Sequence, residues 1–193
     1  MAVVPDERIG SQPDLWHTFA VKAEAIGATV ERAPDEVAAA RLISAHAGVA
    51  KTPPSALACT RSVREQFAGV SAALGAPAAT VRRGSDPAAP AAEVIATGQI
   101  AVAETGSVLV CERNEDRAAC MLAERLWLLV PAEAIVATLD QALARIASLV
   151  REAAPYVTLM SGPSRTADIE RTLTIGVHGP RALAIVVVGD SER

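Results

Sequence analysis

The sequence predicts an α/β layered fold, of the kind in which a central, mostly parallel sheet is flanked by helices. Three observations carry that prediction. Val94–Ile95, Val108–Cys111, Leu126–Val130, Val157–Met160 and Leu183–Val188 are apolar runs that continue rather than alternate, the pattern of strands covered on both faces. Leu139, Ala142, Leu143, Ile146 and Val150 fall at helical spacing between two of these runs. Strand, helix and strand therefore follow one another at the rhythm of a layered α/β domain. A chain of 193 residues that is 51% apolar can bury a core without staples, and a single domain over 1–193 is expected.

Taken in order, Leu15, Phe19, Ala23 and Ile26 share a face and predict a helix over 15–26. Thr29–Arg32 reads as a short strand, followed by a helix over 35–47 behind Pro34. Lys51-Thr52-Pro53-Pro54 breaks that helix and leads into a small apolar strand, Ala56–Thr60. The first 50 residues thus form a mainly helical part, and 94–188 the core that bears the motifs. Gly75–Ala92, rich in Ala, Pro and Gly, reads as a long surface connection, because neither flank has apolar segments enough for a core of its own. Ala118–Glu124 is a further short helix. Thr138 and Gln141 have capping-box spacing at the start of the 139–150 helix.

Composition excludes several functions. Net charge is −4, which leaves no electrostatic footprint for nucleic acid or anionic lipid. Arg outnumbers Lys 16 to 2, and 41 residues are Ala, a bias of composition rather than of chemistry. The longest apolar stretch, Leu126–Leu139, has 14 residues and contains Pro131 and Glu133. Crossing a bilayer takes ~20. Pro5, Asp6 and Glu7 stand where a signal peptide needs its apolar region, so a cytoplasmic location is expected. Cys59, Cys111 and Cys120 make neither a C-x-x-C pair nor a four-ligand set and read as free thiols. No metal site is expected from them or from His17, His46 and His178. The chain also lacks G-x-G-x-x-G, the P-loop, G-x-S-x-G and H-E-x-x-H. Any chemistry then falls to carboxylates, hydroxyls, arginine and backbone amides.

Three segments stand out. Ala103-Glu104-Thr105-Gly106-Ser107 lies between β-prone apolar residues, which puts the Glu104 carboxylate in a turn at a sheet edge, partly desolvated. It reads either as a nucleophile or general base, or as a structural turn whose carboxylate accepts backbone donors. Ser161-Gly162-Pro163-Ser164-Arg165-Thr166-Ala167-Asp168-Ile169-Glu170 follows an apolar run. With Ser164 as the N-cap of a helix, free amides and Arg165 suit a phosphate or carboxylate. Asp168 and Glu170 suit a self-capped structural turn equally well. Gly176-Val177-His178-Gly179-Pro180 precedes the last strand, with His178 as an acid–base group, an orienter or a hydrogen-bonded structural residue.

Together these three segments resemble the LUD-domain family, and within it the lactate-utilisation branch. The similarity covers about half the chain, Val94 to Val188, and the last two motifs are its specific part. The resemblance implies a NagB/RpiA/CoA-transferase-like fold and a subunit or accessory role in oxidation of L-lactate to pyruvate. It also implies partner proteins that carry iron–sulfur clusters, with no cofactor bound directly by this chain. It draws attention to Glu104 and His178 as tentative catalytic groups. Thr105, Gly106, Ser161, Gly162, Ser164, Arg165, Thr166, Asp168 and Gly179 become candidate anion- or ligand-binding positions. The resemblance carries no catalytic role over to any of them. By analogy with CoA transferases of the wider fold, the alternative is a stand-alone transferase or isomerase on a CoA ester or phosphorylated small molecule. It would act through Glu104, with Arg165 and the Ser161–Thr166 turn on the anionic group. Whether the chain catalyses by itself stays open between these readings and a plain binding module.

Overall fold

The computed structural model describes residues 14–49, 57–79, 92–152, 157–166, 174–175 and 179–190. Its strands are β1 (Thr29–Ala33), β2 (Leu57–Cys59), β3 (Glu93–Val102), β4 (Ser107–Val110), β5 (Arg125–Pro131), β6 (Ile135–Val136), β7 (Thr158–Met160), β8 (Arg165–Thr166), β9 (Thr174–Ile175) and β10 (Ala182–Val188). Its helices are α1 (Leu15–Ala25), α2 (Glu36–Val49), α3 (Arg61–Gln66), α4 (Ala68–Leu74), α5 (Asn114–Leu122) and α6 (Leu139–Glu152).

The sheet has two halves joined by β3. Its first half pairs β1, β10, β5, β3 and β2 in parallel, with Val94 opposite Leu126 and Ala184 opposite Trp127. In the second half β3 pairs with β6 in parallel and with β4 antiparallel, and β7 adds to β4 antiparallel. The expected central, mostly parallel sheet between helices is therefore present.

Side chains on successive strand residues point to opposite faces, and both faces are covered, which is why the runs are continuous. Val94, Leu126, Leu128 and Ile185 pack under Phe19 and Ala23 of α1 and Ala119 of α5. Ile95, Trp127, Leu129 and Val186 face Ala39 and Ile43 of α2, Val63 of α3 and Val70 of α4. Ile100, Val102 and Leu109 of the second half meet Ala142 of α6. Burying each large side chain contributes about 1.5–3 kcal/mol. Within this packing Trp127 Nε1 donates to the buried Glu93 Oε2 at 2.6 Å.

Several elements differ from the sequence reading. The pair Val94–Ile95 is the start of a ten-residue strand that absorbs Ile100–Val102 as well. The helix expected over 118–124 begins earlier, at Asn114, with Asp116 in its first turn, a charge that suits the positive end of a helix. Ser164 does not begin a helix. Its N–H goes to Pro180 O at 2.9 Å, so the chain stays extended and β8 pairs with β9, Thr166 opposite Thr174. Leu143, placed on the apolar face of α6, is 48% exposed, while Ala142 is buried and Leu139 and Ile146 are half-buried. Residues 80–91 of the connection lie outside the described residues. Pro77–Ala79 before them runs along β2, with Cys59 N donating to Pro77 O at 2.9 Å. Among the described residues no helix is long and apolar enough to cross a membrane.

Candidate functional site

Two turns dock on the C-terminal half of α1, and glycine is what lets them approach. Gly106 has φ +68°, and a Cβ there would overlap the backbone of Lys22 and Ala23. Gly162 has φ +75°, and its Cβ would strike Ile26 O. The left-handed conformation is accessible to glycine without the Cβ clash other residues meet. The turns are also tied to each other, through Ser107 Oγ and Ser161 Oγ at 2.7 Å. Arg165 reaches back to the same helix end and donates from Nη2 to Ile26 O at 2.9 Å. A cation there suits the negative end of the helix dipole.

Around these contacts lies an open groove of about 610 Å3. Ser161, Gly162, Ser164, Arg165 and Gly179 all line it, so five of the sequence-selected positions converge. Gly179 lies directly against Ser164, where an added Cβ would come within 3.2 Å of Ser164 Cβ. Met121 of α5 and Met160 of β7 supply apolar wall. Guanidinium, hydroxyls and methionines around one groove suit a small molecule with a carboxylate and an apolar end, because arginine matches carboxylate geometry and the wall excludes water. Thr166 follows within β8. Asp168 and His178 lie outside the described residues.

The Ala103–Ser107 turn divides its duties. Glu104 is exposed rather than partly desolvated, because the turn projects beyond the end of β3. Its Oε2 accepts Leu139 N–H at 2.9 Å and so caps α6. A negative charge at that helix start is favourable. Thr105 Oγ1 accepts Ser107 N–H at 3.3 Å within the turn. Ser107 of this turn is buried behind the groove, where it meets Ser161 of the groove wall, and neither it nor Glu104 lines the groove. Use of Glu104 as a nucleophile or base therefore first requires releasing it from α6.

Sequence reasoning missed a buried polar centre among β3, α3 and α5. Glu112 follows β4 and is 4% exposed. Its Oε1 accepts Thr60 Oγ1 at 3.0 Å, Ser62 Oγ at 2.5 Å and Thr97 N at 3.3 Å. Asp116 Oδ2 accepts Arg61 N at 3.1 Å. Burial raises the Glu112 carboxyl above the usual range, the three hydrogen bonds pull it back, and the charge of Asp116 pushes the same way as burial. The only trace in the sequence is a carboxylate directly after an apolar run. Among the described residues no group of three or more His, Cys, Asp or Glu side chains is arranged to hold a metal ion.

Comparison with known proteins gives the family. The LUD domain model matches residues 17–188, nearly the whole chain. The chain belongs to the LUD-domain family. This chain is 36% identical over 113 residues to lactate utilization protein C of Geobacillus thermodenitrificans, a match covering 56% of this chain and 47% of that protein. It is 37% identical over 101 residues to lactate utilization protein C of Deinococcus radiodurans, covering 51% of this chain and 47% of that protein. The matches thus span about half the length of these curated relatives. The crystal structure of a DUF162 family protein from Deinococcus radiodurans superposes with a TM-score of 0.56 at 23% identity, covering 91% of this chain and 96% of that one. That likeness shows the layered α/β fold.

Proposed function

We propose that this LUD domain acts in lactate utilisation, holding a small carboxylate in the Ser161–Arg165 groove while iron–sulfur partner proteins carry the electrons. The observation behind the reading is the match to proteins named lactate utilization protein C. Oxidising L-lactate to pyruvate removes an electron pair and protons, so an electron acceptor is needed. The cysteines of this chain are poor candidates for cluster ligands. There are three of them, widely spaced and without a C-x-x-C pair, fewer than the four thiolates a cluster takes. Clusters therefore belong to the partners in this reading. Arg165 pairs with the carboxylate, Ser161 and Ser164 orient it, and Met121 and Met160 meet the methyl end.

Deleting the gene in its own host tests the role. Growth on L-lactate is expected to fail and to return with the wild-type gene, but poorly with Arg165→Gln at equal protein level. Undiminished growth in a strain with no other lactate dehydrogenase contradicts the proposal.

A further inference from the structure

Two strands meet end to end along one side of β3. β2 stops at Cys59, opposite Ile95, and β4, running the other way, stops at Val110, opposite Gly98. Between them a stretch of β3 has no strand beside it. Ile95 and Thr97 turn their backbone groups toward this gap, since residues two apart on a strand share a side. Ile95 O accepts Thr60 N–H at 2.9 Å as the chain leaves β2. Thr97 N–H has no strand carbonyl opposite it and takes Glu112 Oε1 instead. A buried N–H left without an acceptor costs about 1–3 kcal/mol, so a side chain in the gap has a defined job.

The same carboxylate oxygen holds Thr60 and Ser62, and Asp116 holds the N–H of Arg61 between them. Three consecutive residues at the β2–α3 corner are thus fastened to two carboxylates of the β4–α5 segment. We propose that Glu112 is a protonation-dependent latch that closes the gap between the facing ends of β2 and β4 and holds the β2–α3 corner to α5. The proposal does not depend on the lactate reading.

The charged and titratable groups around it are few. Among the described residues, Asp116 and Cys120 act on it from α5 and Cys111 from just after β4, and Arg61 of α3 is held through its N–H by Asp116; the nearby stretch of β3, Ala96–Thr97, contributes none. Asp116 disfavours a second negative charge, as does burial. The folded protein therefore keeps the Glu112 proton to higher pH than the unfolded chain does. The sign follows from linkage. The latch contributes fully below the ordinary glutamate value and weakens as pH rises through the folded one. Helix α5 runs from Asp116 in its first turn to Met121 in the groove wall, so loosening the latch frees one side of the groove.

Glu112→Gln keeps the acceptor oxygen and removes the titration. Urea midpoints of both proteins are measured from about pH 4 to about pH 8, and the Glu112 carboxyl of the wild type is titrated by 13C NMR. The expected result is a wild-type midpoint that falls relative to Glu112→Gln as pH rises, with the wild-type carboxyl titrating above the ordinary range. A constant difference between the two proteins overturns the proposal. So does a wild-type Glu112 that titrates in the ordinary range, a measurement that stands even if the variant does not fold.

Discussion

Gly106 and Gly162 carry the geometry of the groove at the scale of single residues. Each is left-handed, and each brings a turn onto α1 closer than any side chain permits. Gly106→Ala is expected to cost about 2–4 kcal/mol, the sum of the left-handed penalty for a residue with a Cβ and of overpacking against Lys22 and Ala23. Chemical denaturation of the variant measures it. A loss of less than half that amount means the turn moves off the helix without penalty. Glu104, by contrast, has a replaceable task, since its carboxylate is exposed and among the described residues accepts one backbone donor, Leu139 N–H. The three thiols are buried and stay protonated at neutral pH, so the residue chemistry available at the groove is that of Arg165 and the serines.

Local sequence signals and long-range pairing separate at the scale of elements. The start of α6 is legible because its capping pair is close in sequence. Gln141 N donates to Thr138 Oγ1, and Thr138 N and Ala137 N donate to Gln141 Oε1. Thr138→Ala is expected to lower stability by about 1 kcal/mol, the usual cost of a lost N-cap, read as a shift in the urea midpoint. An unchanged midpoint would assign the cap to Glu104 alone. The buried face of α1 is legible for the same reason, with Phe19 and Ala23 a turn apart. Helices α3 and α4 are not, because 6 and 7 residues are too few for a period to emerge. The latch is invisible as well. Glu112 matters only because β2 and β4 stop short of each other, and Thr60 lies 52 residues away in the chain. The run from Ser164 failed differently, since a favourable N-cap lost to a backbone bond with Pro180.

Across the whole molecule, continuous apolar runs were enough to give the layering, because a sheet covered on both faces needs apolar residues at every strand position. They were not enough to give the change at β3 from parallel to antiparallel neighbours, which is a matter of partner choice rather than composition. That change brings the turn before β4 and the turn after β7 side by side on α1, with Ser107 against Ser161. Segments more than 50 residues apart in sequence are thereby tied together behind the groove wall. The groove is the meeting point of two of the three motifs, and it is where the proposed carboxylate ligand sits. The most direct test is anaerobic purification of the tagged chain from its own cells grown on L-lactate, assayed together for iron and for lactate-dependent dye reduction. Co-purified iron with lactate activity is expected, both lost when the partners are stripped away. An iron-free, partnerless chain with no lactate-dependent reduction would contradict it.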